Sequence, residues 1–262
     1  MSAGVKRGRA LVTGASAGLG TEFARQLAAR GLDLLLVARR EDRLRTLAAE
    51  LGQTHAVDVD CFAADLSDPA APAAIEAHVR EREYPVDWLI NNAGAAGPAL
   101  LEDTDWSTQA AFLELMMISV AQLCHRFIPP MCSRGFGRVV NVSSFAGRIA
   151  RPAGANYGPA KAYLVALSEE LALELRGTGV HVTALCPGFV HTEFHETADL
   201  TEMKRGTPDF IWYDAETVVR EGLSAVERGR AIRVSGRLYR WLDPLAQSVW
   251  LRPLIKALAP GR

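Results

Sequence analysis

A chain of 262 residues that is 49% hydrophobic has the length of one α/β domain and enough apolar material for a large core. Its 29 basic and 30 acidic side chains leave a formal net charge of −1, which removes the electrostatic case for a nucleic-acid partner. The four cysteines (Cys61, Cys124, Cys132, Cys186) form no CxxC pair, the first residues lack the apolar run of a signal peptide, and no window reaches the roughly 18–20 apolar residues of a membrane span, so reduced thiols and a cytoplasmic location are expected.

The first apolar run, RALVTG (9–14), reads as a strand, and the loop TGASAGLG (13–20) leads from it into a helix over 18–30. Gly14, Gly18 and Gly20 allow a sharp turn and a close backbone approach, and the following helix N-terminus offers unpaired N–H groups that suit a pyrophosphate. The spacing GxxxGxG differs from the common GxGxxG, and glycines also serve plain turns. Its place in the first strand–turn–helix unit is where a dinucleotide binds. The second strand, LDLLLVA (32–38), ends in VARRED. No acid stands at Ala38 to accept from a free ribose hydroxyl, whereas the guanidinium groups of Arg39 and Arg40 suit a 2′-phosphate, favouring NADP(H) over NAD(H). The competing reading is that these arginines only begin a solvated helix over 41–51.

Further strand-like runs follow at 59–66, 86–94, 137–144, 180–188 and 231–235, separated by helical patterns at 69–82, 104–133, 155–177 and 215–228. Near-continuous apolar strands imply cover on both faces, so the expected fold is a single-domain α/β doubly wound parallel sheet with helices on both sides. Pro159 is tolerated if the helix around it starts between Gly154 and Gly158. Two regions break the alternation. Residues 189–214 form a connection long enough to act as a substrate lid. The tail 236–262 carries an amphipathic stripe interrupted by Pro244 and Pro253.

Tyr157 and Lys161 lie four apart, one helical turn along one face, where an ammonium favours the phenolate and makes the phenol usable as an acid near neutral pH. Such a pair on any single helix is more often structural. The glycine loop, NNAG (91–94), NVSS (141–144), YGPAK (157–161) and PGFVHT (187–192) together, in this order and spacing over roughly residues 8–235, resemble the short-chain dehydrogenase/reductase family. The resemblance implies interconversion of a carbonyl and a secondary alcohol. Tyr157 is then the acid/base, Lys161 tunes it and bonds the nicotinamide ribose, and Ser144, thirteen residues before Tyr157, holds the substrate oxygen. It further implies cofactor contacts from Gly14, Ser16, Gly18, Leu19 and Gly20, from Arg39 and Arg40, and from Asp65 at the adenine amino group. Asn92, Ala93 and Gly94 would lie at the adenosine ribose (unless NNAG is a strand cap), and Pro187, Gly188, Val190 and Thr192 would lie toward the nicotinamide. A homodimer or homotetramer through the helices at 104–133 and 155–177 is implied by the same analogy.

One departure stands out: where many relatives carry an asparagine that holds a relay water, this chain has Met116, which cannot donate a hydrogen bond. Backbone carbonyls and water can serve instead, Ser119 can substitute, or turnover is reduced. The last reading leaves open a nucleotide-binding regulator or scaffold, and an isomerase or dehydratase on the same fold is a further alternative. Substrate identity is expected in 145–155 and 189–214, where Phe145, Phe189, Phe194, Phe210, Ile211, Trp212 and Tyr213 favour a lipophilic substrate. His191 and His195 read as solvated loop residues, with no metal expected. The tail reads as a subunit interface or pocket cover, with contact to a membrane surface less favoured.

Overall fold

Four consecutive apolar residues, Leu34 to Val37, do not suit a strand with one wet face. In the computed structural model, which describes residues 8–98, 100–101, 105–149, 156–192 and 208–251, all four are fully buried. They belong to a seven-stranded parallel sheet built from β1 (Arg9–Thr13), β2 (Asp33–Ala38), β3 (Val59–Ala63), β4 (Trp88–Asn91), β5 (Gly137–Val142), β6 (Val180–Cys186) and β9 (Ile232–Val234). The order β3-β2-β1-β4-β5-β6-β9 reverses direction at β1, so the carboxyl ends of β1 and β4 open a crevice between them. A separate parallel pair, β7 (Phe189–Val190) and β8 (Trp212–Tyr213), lies between β6 and β9 in sequence.

The period-2 alternation of a strand sends neighbouring residues to opposite faces. Ala10, Val12, Leu34, Leu36, Ile90 and Val140 enter one core, with α1 (Gly18–Ala29), α2 (Glu41–His55) and α7 (Ala215–Glu227). Leu11, Leu35, Val37, Leu89 and Val139 enter the other, covered by α3 (Ala71–Glu81), α5 (Ser119–Arg134) and α6 (Tyr157–Glu174). The doubly wound architecture expected from the sequence is therefore present. After β9 the chain forms α8 (Arg237–Gln247).

Some boundaries differ from the sequence reading. The helix expected over 41–51 runs on to His55, and Gly52 is interior. The helix ends instead at Ala56, whose left-handed conformation (φ 53°) lets its N–H reach the Gly52 carbonyl. The helix expected over 104–133 is split: α4 (Trp106–Leu113) joins α5 through a π-helical turn at Glu114–Ile118. By length and mean hydropathy this 29-residue stretch, Trp106–Arg134, is apolar enough to cross a membrane, as core helices of soluble proteins also can be, and it holds no unbroken apolar run of that length. In the fold, its Val120, Leu123, Phe127 and Met131 pack beneath the sheet.

A buried polar chain ties the sheet to its helices near the crevice. Asn91 Nδ2 donates to Asn141 Oδ1 (2.8 Å), Asn141 Nδ2 donates to Ser168 Oγ (2.9 Å), and Ser168 Oγ donates to the Leu164 carbonyl (2.7 Å). Removing the central amide orphans groups that water cannot reach. Asn141→Ala is expected to lower unfolding stability by about 2–4 kcal/mol, measured by chemical denaturation; a loss under about 0.5 kcal/mol contradicts this account.

Candidate active site

The glycines after β1 are fixed by what their missing side chains leave room for. A Cβ on Gly20 would lie 2.1 Å from the Gly14 carbonyl oxygen, and one on Gly14, itself at φ 65°, would meet the Ala93 backbone at 2.8 Å. Gly18, at φ 54°, faces Thr192, with 3.3 Å left for a Cβ. The loop is thus pressed onto the end of β4, where Asn92 Nδ2 donates to the carbonyls of Thr13 (2.9 Å) and Gly14 (3.3 Å). Thr13 Oγ1 accepts the backbone N–H groups of Asn92 and Ala93. Asn92 therefore acts as the strand cap that the sequence left as an alternative, and Thr13 is a lock that the sequence reading missed.

At the far end of this cradle, Arg40 donates to Ser16 Oγ (3.2 Å) and to the Ser16 carbonyl, while Arg39 extends with its side chain 75% exposed, 3.8 Å from Asp65 Oδ2. Partial burial is the largest influence on Asp65 and pushes its carboxyl up. The bonds from Ser67 and the charge of Arg39 outweigh it and leave the carboxyl below its usual range. A loop with glycines at 14, 18 and 20 leading into a helix N-terminus, with two guanidinium groups beside it, fits a phosphate-bearing dinucleotide. Leu19 packs on the core. Val190 is buried in the same core and pairs with Tyr213 of β8. Gly188 is required by packing, since a Cβ there would lie 2.0 Å from the Tyr239 ring.

Lys161 is the most constrained ion of the site. It is 5% exposed, lies one turn beyond Tyr157 with Nζ 5.8 Å from that ring's centroid, and donates to the Val142 carbonyl at the end of β5 (2.8 Å). Burial pushes its ammonium down from 10.5 to about 8, with Cys186 a smaller opposing influence. The two serines after β5 divide their duties. Ser143 is buried and donates to the Lys161 carbonyl (2.7 Å). Ser144 is partly exposed, and its Oγ accepts from the Ala146 N–H (3.1 Å), which leaves its proton for another acceptor. This division agrees with Ser144, not Ser143, as the oxygen-holding residue. Helix α6 begins at Tyr157, inside the window set by Pro159, and Asn156 just before it donates to Gln109 Oε1 of α4 (2.6 Å).

Met116 sits in the π-turn, 1% exposed. Its sulfur accepts the Ala95 N–H (3.4 Å), and it packs with Phe112, Ala160 and Tyr157. A Cβ on Gly94 would come within 3.3 Å of that sulfur and 3.7 Å of Lys161 Nζ, so the thioether and the ammonium share one small space. Ser119 is fully buried and donates back to the Leu115 carbonyl of its own helix (2.8 Å).

The substrate side is buttressed by α8. Arg148, four residues past Ser144, makes a two-pronged ion pair with Asp243 (2.8 and 2.7 Å), and Gln247 donates to the Arg148 carbonyl. Tyr239 packs against Phe145 at 5.1 Å, accepts the Phe189 N–H and donates to the Ile211 carbonyl. Helix α8 thus packs against the segment just past Ser144, through Arg148, Asp243 and Tyr239, none of which carried a motif signal. Phe145, Phe189, Ile211 and Tyr213 pack around Tyr239, so much of the apolar character of these segments is structural. His191 stacks on Trp212 (5.1 Å). Phe194, His195 and most of the long connection lie outside the described residues, as do 150–155.

Comparison with known proteins agrees with this geometry. A family model for short chain dehydrogenases matches residues 8–203. Sulfoacetaldehyde reductase 2 of Chromohalobacter salexigens is 35% identical over 186 residues, covering 70% of this chain and 73% of its own. A short-chain dehydrogenase from Sphingobium yanoikuyae, solved in complex with NADPH, is similar at a TM-score of 0.79 and 30% identity, over 97% of this chain and 98% of that one. The bulky-bulky ketone specific alcohol dehydrogenase from Comamonas testosteroni is similar at 0.77 and 25% identity, over 98% and 97%.

Two outcomes are expected. Between about pH 8 and 10.5 the unfolded chain keeps a proton on Lys161 that the folded chain has lost, so folding gains from rising pH. Unfolding stability of the wild type relative to Lys161→Met is expected to climb by about 3 kcal/mol across that window, measured by denaturant titration; a flat difference means the lysine stays charged when buried. Asp243→Asn is expected to lower kcat/KM for a ketone by about tenfold while leaving NADPH affinity within about twofold. Partial recovery is expected in the Arg148→Asp/Asp243→Arg double variant, and equal losses of both affinities count against a specific role in placing Ser144.

Proposed function

The chain belongs to the short-chain dehydrogenase family, and from that premise we propose that it is an NADP(H)-dependent oxidoreductase interconverting a bulky or lipophilic ketone and its secondary alcohol. The observation that carries this reading is the buried Lys161 one helical turn from Tyr157, with Ser144 at the end of β5.

When bound, the nicotinamide supplies or accepts the hydride. The chain does the rest. Gly14, Gly18 and Gly20 with the start of α1 hold the pyrophosphate, and Arg39 and Arg40 hold the 2′-phosphate. The Ser144 hydroxyl donates to the carbonyl oxygen of the substrate and stabilises the charge that grows there. Tyr157 delivers its phenolic proton to that oxygen as the alcohol forms. Lys161, protonated, holds the resulting phenolate electrostatically and, with Val142 as its backbone anchor, has further N–H groups for the ribose. The NADPH complex of the similar Sphingobium enzyme supports the cofactor assignment. The aromatic residues of 189–214, among them the exposed Phe210, support an apolar substrate. The ketone named for the Comamonas relative points the same way.

The test follows the absorbance of NADPH with a panel of ketones. Tyr157→Phe is expected to lower kcat by about a thousandfold with NADPH affinity little changed, and undiminished reduction by that variant would falsify the assignment. Arg39→Ala is expected to raise KM for NADPH by about tenfold and leave that for NADH in place. Equal preference for the two cofactors in both proteins contradicts the 2′-phosphate role. Tight NADPH binding without oxidation across a broad panel favours the regulator that Met116 left open.

A further inference from the structure

Helix α8 has two faces of opposite character. The inner one is fully engaged: Asp243 with Arg148, Arg240 with Glu221 (2.7 Å), and Tyr239 with the Phe189 N–H and the Ile211 carbonyl. The outer face and the turn after it leave Trp241 79%, Val249 81% and Trp250 89% exposed, with Leu242, Leu245 and Leu251 also open to solvent. Six large apolar residues within eleven positions exceed the scatter of single hydrophobics normal on a soluble surface.

Charge decides between the occupants. Residues 236–262 hold five basic side chains and one acid in a chain whose net charge is −1; Arg240 is paired with Glu221, which leaves Arg237 and, beyond the described residues, Arg252, Lys256 and Arg262. That one acid, Asp243, is neutralised by Arg148 on the inner face. A second copy of this chain meeting the same patch across a two-fold axis would set like charges against each other. A peptide groove is not formed, because the face is convex along one short helix. An anionic lipid surface satisfies both features: tryptophans rest at the headgroup level while basic side chains meet the phosphates.

We propose that the outer face of α8, centred on Trp241, Leu245 and Trp250, docks on an anionic lipid surface. The helix is not a loose anchor. Its inner face is pinned to the segment just past Ser144, so a docked molecule presents its substrate side next to the lipid. Delivery of a lipophilic ketone from the bilayer follows only if the carbonyl-reductase reading holds; the docking itself does not depend on that reading.

The experiment measures binding rather than turnover, so the two ideas fail separately. Full-length protein is mixed with vesicles of phosphatidylcholine alone, or with about one third phosphatidylglycerol, and sedimented. Binding to the anionic vesicles, weakened by added salt and accompanied by a blue shift of tryptophan emission, is the expected result. The Trp241→Ser/Trp250→Ser double variant is expected to bind them at least about tenfold more weakly, with unchanged NADPH affinity as the control for folding. Absence of binding to either vesicle overturns the proposal. So does binding that the double variant retains. Concentration-dependent dimerisation that the double variant abolishes, without vesicle binding, assigns the face to a second copy and likewise overturns it.

Discussion

The placing of one ammonium in a dry pocket governs the design of this site. Lys161 Nζ donates to the Val142 carbonyl and shares its space with the thioether of Met116, surroundings that do not replace the hydration it loses on folding. Several otherwise unrelated features follow. Gly94 is a glycine because a Cβ there would press on the sulfur and approach the ammonium. Ser143 is buried because it fixes the backbone carbonyl of Lys161 itself. The depressed basicity of the lysine is a cost carried by the folded chain, and ligand oxygens placed within its reach recover part of it. In the proposed reaction cofactor binding and lysine charge are in this way coupled, and the charge is what a phenolate at Tyr157 would need.

How much of this was legible in the sequence depends on range. The cradle was readable because its demands are local: three glycines, a strand and a helix start fix a backbone path within eight residues, and Tyr157 and Lys161 are neighbours by helical geometry alone. The parallel sheet with helices on both sides followed from uninterrupted apolar runs such as Leu34 to Val37, which require cover on both faces. Gly52 misled, because glycine weakens a helix without ending one when Leu47 and Leu51 bury its inner face. The π-turn was invisible because it depends on how α4 and α5 meet the sheet and α6, not on any residue type. Arg148 and Asp243 are 95 positions apart, and nothing in either neighbourhood marks one as the partner of the other.

Met116 shows how a departure from a familiar motif is narrowed by geometry. Ser119, the candidate substitute, donates its proton to Leu115 within its own helix, which removes it as a donor to a relay. The methionine in turn is not a gap. It accepts the Ala95 N–H and fills the space between Phe112 and Tyr157. A thioether is a weak acceptor and bars water from its own volume. With Ser119 engaged in its own helix, the sequence readings that remain are a relay through backbone carbonyls and water, and reduced turnover.

The short helix α8 joins these threads. Eleven residues make a helix that is marginal by itself in water, so its structure depends on the contacts of its inner face. Those contacts, Asp243 to Arg148 and Tyr239 to Phe145, Phe189 and Ile211, are made to the segments that wall the site beyond Ser144. Folding of the helix and shaping of that wall are one event. The helix thereby links the exposed apolar surface around Trp241 and Trp250 to the segment just past Ser144.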